Sequence, residues 1–218
     1  MSNEQLTSER LVDVYLVAKN AVINAGFLWE IKWQESRRFE KLTEKMFLSE
    51  AAWVILAGGM KESVIRMKFP SISEAFCSWE SARVISKEKK TCRQSALRVF
   101  GHEGKVDAII TISKLIAERG FPAVKMNIRN EGAQFLSTMP YLGPATSLHL
   151  AKNIGLNVPK PDRHLCRIAR ATGHIDPANL CRTIGEYVAD SLAVIDIVLW
   201  RYATLERNYE HHFASLAA

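Results

Sequence analysis

The sequence has no CxxC pair. Its four cysteines, Cys77, Cys92, Cys166 and Cys181, stand apart from one another, so neither a zinc knuckle nor a thioredoxin-like redox motif has support. Scattered thiols of this kind read as buried small hydrophobes rather than as a disulfide framework. Long apolar runs are also missing: the longest, Ala51 to Met60, is far too short to span a bilayer. The first residues, MSNEQLTSER, lack the basic cluster and apolar region of a secretory signal. No stretch alternates with period two, and no repeat, low-complexity segment or flexible interdomain linker is visible. Membrane-spanning, β-rich and disordered classes therefore recede.

What is present is globular in character. The chain has 218 residues, 48% hydrophobic and 24% charged, which suits one domain or two tightly joined lobes around a real core. Lys and Arg number 29 against 23 Asp and Glu, a net charge of +6. This excess, with a pI near 9.2, favours an anionic partner such as nucleic acid. The expected setting is intracellular, in a cytoplasm or nucleoid or in the cytoplasm of a host cell, with no membrane partner.

Helical periodicity runs through most of the chain, so the expected fold is all-α. Ser8-Glu9-Arg10 opens a helix with Leu11, Val12, Tyr15, Leu16 and Ala18 that Gly26 ends, and residues 47–57 form an apolar helix stopped by Gly58-Gly59. Ser71 and Ser78 have the character of N-caps. Val106, Ile109, Ile110, Leu115 and Ile116 predict a helix over 104–118, closed by Gly120-Phe121-Pro122. Asp176-Pro177 places a cap residue before a proline at the first helical position, opening a long run through Leu199. Lys87, Lys89, Lys90 and Arg93 read as a solvated face. The five tryptophans, Trp29, Trp33, Trp53, Trp79 and Trp200, read first as core.

One segment carries more. Residues 136–155 predict a helix end, a tight turn through Pro140-Tyr141-Leu142-Gly143 and a second helix begun by Pro144. Gly143 supplies backbone freedom, and the φ of Pro144 is preset for a first helical turn. Met139, Leu142, Leu148 and Leu150 can bury one side of this hairpin. The free N–H groups of the turn and second helix then face outward, a site for a DNA phosphate. Beyond it, Val158-Pro159-Lys160-Pro161-Asp162 leads into a helix with Leu165, Ile168 and Ala169 inward. Asp162 reads first as its N-cap, a role that leaves one carboxylate oxygen free.

Met139-Pro140-Tyr141-Leu142-Gly143, followed by Asp162-Arg163-His164-Leu165-Cys166-Arg167 and Gly173, resembles the helix-hairpin-helix (HhH-GPD) superfamily of DNA base-excision glycosylases. The looser similarity runs from the apolar helix near 50 to the helix near 200. The resemblance implies a two-lobed helical bundle with an interlobe active-site cleft. One lobe would comprise about 1–45 plus 163–218, and the other about 46–162 with the hairpin at 136–155. The chain departs from the family in three places. Tyr141 stands where the hairpin has its first glycine. Ala145 stands where bifunctional members carry a lysine nucleophile, and an alanine cannot form a Schiff base. The four-cysteine array of the iron–sulfur members is absent, so no cluster is expected.

The function implied is that of a monofunctional DNA glycosylase, which flips a damaged or modified base from double-stranded DNA and hydrolyses its N-glycosidic bond. Asp162 would be the catalytic carboxylate. Pro140, Tyr141, Leu142, Gly143, Ala145, Thr146 and Lys160 would contact DNA. Trp53, Gly58 and Gly59 are candidates for the base pocket, although the two glycines read first as a helix end. The small side chains there leave open a roomy pocket that takes a bulky base. No side-chain metal site or organic cofactor is expected; a monovalent cation on the hairpin backbone belongs to the resemblance. The protein would act as a monomer. Three other readings compete: a non-catalytic hairpin DNA-binding module, a lyase using a displaced lysine at Lys152 or Lys160, and an all-helical scaffold.

Overall fold

The computed structural model describes residues 3–215, and among them every regular element is helical, with no strand. Helix α1 (Asn3–Val22) runs into a π-helical turn at Ile23–Phe27 and then α2 (Leu28–Ser36). Gly26 has φ +88 inside that turn, so it kinks the run rather than ending it. A 3-10 turn at Phe39–Lys41 precedes α3 (Glu44–Ala57), whose N-cap Thr43 accepts the Met46 N–H. Helix α4 (Glu62–Ala75) contains Pro70 and Ser71 within its length. Ser71 is therefore not an N-cap. Ser78 is not one either: it lies in a 3-10 turn, Cys77–Trp79, with φ +49. The cap is Ser81, which accepts the Val84 N–H at the start of α5 (Ala82–Lys87).

Helix α6 (Lys89–Val99) is followed by α7 (Glu103–Arg119), which matches the expected helix and stops at Gly120. That glycine also opens α8 (Phe121–Glu131), leading to the short α9 (Ala133–Leu136). Then come α10 (Pro144–Asn153) and α11 (Arg163–Ala171). Asp176 caps α12 (Pro177–Gly185) as expected, accepting the Asn179 N–H. The run from there does not reach Leu199 unbroken. It stops at Gly185, and a new cap, Ser191, starts α13 (Leu192–Leu205) before α14 (Tyr209–Ala214). Two serines at 71 and 78 lost to Ser81, and one long helix became two, because capping geometry depends on where the chain must turn as well as on residue type.

The chain divides into two compact units, Met1–Arg37 with Gly155–Ala218, and Arg38–Ile154. In the first, Leu11, Tyr15, Ala18 and Val22 form one buried stripe of α1 against α13. The Tyr15 hydroxyl donates to Asp190 at 2.6 Å, and Lys19 bonds both oxygens of that carboxylate at 2.8 and 2.7 Å. Arg201 Nε donates to Glu30 at 2.8 Å, its guanidinium lying 4.1 Å from the Phe27 ring. Among the described residues, one helical run, Ser8–Ser36, is long and apolar enough to cross a membrane by length and composition. Charged residues, Asp13 and Lys19 among them, interrupt its apolar character. Its buried stripe belongs to the core of this unit.

In the second unit α3 and α7 supply much of the core, with Phe47, Leu56, Ile109 and Ile112 each at most 3% exposed. Phe69 bridges Trp53 and Trp79, with ring centroids 5.1 and 5.9 Å away. All four cysteines are free thiols, and Cys92 and Cys181 are buried. Lys87, Lys89 and Lys90 are exposed, whereas Arg93 pairs with Asp107 and Glu103.

Candidate functional site

The hairpin lies in the second unit. After α9 the chain folds back on itself, with the Leu142 N–H donating to the Met139 carbonyl at 3.2 Å across Pro140-Tyr141. Met139 and Leu142 are buried beneath the turn. A proline followed by a residue at positive φ is the pattern of a type II turn, in which the second position favours glycine. Tyr141 holds that position with φ +63. Its ring stands edge-on to His102, centroids 5.9 Å apart. Its hydroxyl rests on Gly104, where a Cβ would sit only 2.1 Å away. A non-glycine residue at positive φ is uncommon, and here contacts with the start of α7 hold it.

Gly143 is the N-cap of α10 without a side chain to offer, and Pro144 occupies the first turn. The Ser147 N–H bonds the Gly143 carbonyl at 2.8 Å. The N–H groups of Ala145 and Thr146 precede the first intrahelical bond and have no partner within the helix. Gly143, Pro144 and Ala145 are exposed. The Thr146 hydroxyl donates to the carbonyls of Gly143 at 3.0 Å and Tyr141 at 3.3 Å, which stiffens the turn.

Gly58 and Gly59 end α3, and Gly59 has φ +71, a backbone state that makes a helix terminus of this kind. A Cβ on Gly58 would lie 4.0 Å from the Thr146 methyl, so the end of α3 and the hairpin are neighbours. Lys105, only 5% exposed, reaches the same place. Its ammonium donates to the Leu56 carbonyl at 2.9 Å and to that of Gly58. Burial pushes the Lys105 ammonium below the usual lysine range. Trp53 is half-buried, edge-on to Phe69 with Arg66 over its ring at 5.6 Å.

Sequence reasoning missed His102, Gly104 and Lys105. A signal existed for Lys105, which shares the helical stripe of Ile109, Ile112 and Ile116, where a lysine on an apolar face needs an acceptor. None existed for His102 or Gly104, which matter only because Tyr141 lands on them.

Asp162 belongs to the first unit, where it is the N-cap of α11. Its Oδ1 accepts the His164 N–H at 2.9 Å and the Leu165 N–H at 3.0 Å. Among the described residues no hydrogen bond reaches Oδ2. The carboxylate is half-buried. Lys160 lies two residues before it, its main-chain amide held by Asp196. Lys152, by contrast, is buried in α10, only 4% exposed.

In the first turn of α11, His164 Nδ1 lies 3.0 Å from the Tyr209 hydroxyl. Burial pushes His164 below the ordinary histidine range, against the opposing pull of Asp162, and burial does the same to His174. The unfolded chain takes up these protons first as pH falls through about 6.5, so stability declines on acidification in that window. Melting temperature is expected to drop as pH is lowered from neutral, and a His164→Gln/His174→Gln double variant to flatten the curve. A wild-type melting temperature that rises on acidification would contradict this.

Among the described residues no three His, Cys, Asp or Glu side chains cluster so as to hold a metal ion. Comparison of the chain with family models, curated proteins and solved structures finds no match.

Proposed function

We propose that the chain is a monofunctional DNA glycosylase of the helix-hairpin-helix type, cutting the N-glycosidic bond of a damaged or modified base flipped from duplex DNA. The observation that carries this reading is the state of Asp162. One oxygen is locked by two helix amides and the other accepts no hydrogen bond among the described residues. A cap needs only the first oxygen. The second is a fixed negative charge free to face a reacting group.

When the bond to a base breaks, positive charge develops on the deoxyribose. A carboxylate fixed beforehand stabilises that charge without reorganising during the reaction. The same oxygen can orient a water molecule for attack at C1′ and receive its proton. The hairpin supplies the second requirement, a grip on the backbone. The N–H groups of Ala145 and Thr146, unpaired within the helix, sit at the positive end of α10, where a phosphate is favoured. Pro140, Tyr141, Leu142 and Gly143 shape that turn, and the +6 charge assists binding. A monovalent cation fits the same reading, since the Tyr141 and Gly143 carbonyls converge on the single Thr146 hydroxyl. Trp53, Gly58 and Gly59 remain the proposed lining for the base, with Gly58 beside Thr146. Ala145 carries no amine, so strand cleavage through an imine forms no part of the mechanism.

The test is incubation of the protein with duplexes carrying alkylated, oxidised, deaminated and hypermodified bases, before and after alkali. Strand breaks that need alkali, on particular bases only, are expected; release of small lesions alone would defeat the roomy pocket. Borohydride is expected to trap no protein on abasic DNA, and a trapped adduct would replace this mechanism with a lyase using another lysine. Damage-independent, salt-sensitive binding without any base release would leave a DNA-binding module instead.

A further inference from the structure

We propose that Asp196 is a positioning residue for Asp162: a buried carboxylate on α13 fastens the loop that aims the Asp162 carboxylate. The inference rests on the reading of Asp162 as the catalytic group. Asp196 is 1% exposed, on a helix face shared with Ile195, Val198 and Leu199 of the apolar core. A carboxylate in such a place is expensive unless it is hydrogen-bonded. Its Oδ2 accepts the main-chain N–H of Lys160 at 2.6 Å. The start of α13 holds the same loop at a second point, where Asn157 Oδ1 accepts the Ala193 N–H at 3.3 Å.

From these two fastenings to Asp162 the chain has little freedom. Pro159 and Pro161 flank Lys160, each with its φ preset. The Asp162 N–H then donates back to the Lys160 carbonyl at 2.9 Å. The path from Asp196 through Lys160 to Asp162 is thus two hydrogen bonds and a stiff three-residue segment, Lys160-Pro161-Asp162. Capping α11 requires none of this, because the cap uses only Oδ1 and the helix's own amides. What the Asp196 fastening adds is a fixed entry direction for the loop, and so a fixed direction for the second oxygen. Displacing a reacting group by about 1 Å costs about 10²-fold in rate, which is what such a fastening guards against.

The experiment compares wild type, Asp196→Asn, Asp196→Ala, Asp162→Asn and the Asp196→Ala/Asp162→Asn pair. It reads single-turnover base release, DNA affinity and amide hydrogen exchange along residues 157–165. Asp196→Ala is expected to slow release by about 10²-fold with DNA affinity unchanged. Asp196→Asn keeps an oxygen that can accept the Lys160 amide, and is expected to stay within about threefold of wild type. In the Asp162→Asn background the second substitution is expected to add nothing, since it acts only through Asp162. Exchange at the Lys160 and Asp162 amides is expected to quicken in Asp196→Ala while the α13 amides stay protected.

Wild-type release by Asp196→Ala, an undiminished effect of it in the Asp162→Asn background, or unchanged Lys160 exchange overturns the proposal. If Asp196→Ala does not fold, Asn157→Ala carries the test from the exposed fastening, with about tenfold slower release expected and a wild-type rate overturning it. Should wild type release no base at all, the glycosylase reading fails. The exchange measurement still decides whether Asp196 fastens the loop.

Discussion

Asp162→Asn is expected to slow base release by about 10²–10⁴-fold, the usual range for removing one positioned acid–base group. Its structural consequence is expected to be far smaller. Asparagine is as good an N-cap as aspartate, and its amide oxygen can still accept the His164 and Leu165 N–H groups that Oδ1 accepts now. The remaining loss is the favourable charge at a helix N-terminus, about 0.3–1 kcal/mol. DNA affinity is expected to hold or rise, because removing a negative charge lessens repulsion of an anionic partner. Rate, melting temperature and affinity thus separate: the first collapses while the other two barely move. Single-turnover release beside thermal melting and DNA titration reads all three. A variant that excises at the wild-type rate would return Asp162 to the role of a plain helix cap.

Gly104→Ala is expected to push the Tyr141 ring off the start of α7 and to destabilise the protein at the low end of the about 1–3 kcal/mol that overpacking costs. The cost is at the low end because Tyr141 is 48% exposed and its ring can turn toward solvent. Helix propensity alone predicts the opposite sign, since alanine in place of glycine inside a helix gains about 1 kcal/mol. The contact decides. The new Cβ would lie 2.1 Å from the Tyr141 hydroxyl and 3.0 Å from the ring carbon that bears it, so the ring must leave its place against α7. Tyr141 then loses the contacts that hold it at φ +63, and the Pro140–Gly143 turn loses its brace. Weaker DNA binding should accompany the lower melting temperature. Tyr141→Gly in the same chain removes the obstructing ring and gives the turn the residue its backbone favours. The double variant is therefore expected to recover stability relative to Gly104→Ala alone. If Gly104→Ala proves more stable than wild type, Tyr141 is not wedged against α7 and does not brace the hairpin.

Much of the local structure was legible in the residues. Asp162 was readable as an N-cap because an Asp after a proline and before a periodic apolar run has few other uses, and Asp176 because it stands directly before a proline suited to the first helical position. The hairpin turn was readable because Pro140, Gly143 and Pro144 each restrict or free the backbone at a known position. The caps at 71 and 78 were misread because serine is common both at caps and inside helices. Only the packing of α4 through Pro70 and the strained turn at Cys77–Trp79 placed the true cap at Ser81.

The sequence by itself determined the all-helical class and the hairpin with its exposed first turn. It also determined a capping aspartate with an oxygen to spare. These follow from propensity, periodicity and the fixed backbone preferences of proline and glycine, which act over a few residues. Only the tertiary structure decided that Lys105 closes the end of α3 at Gly58, that Gly104 makes room for Tyr141, and that Asp196 holds the loop before Asp162. Each of those joins residues more than 35 positions apart in the chain. No local preference can encode such a pairing; it exists because burying the apolar faces of α3, α7 and α13 brings these polar groups to partners they could not otherwise reach.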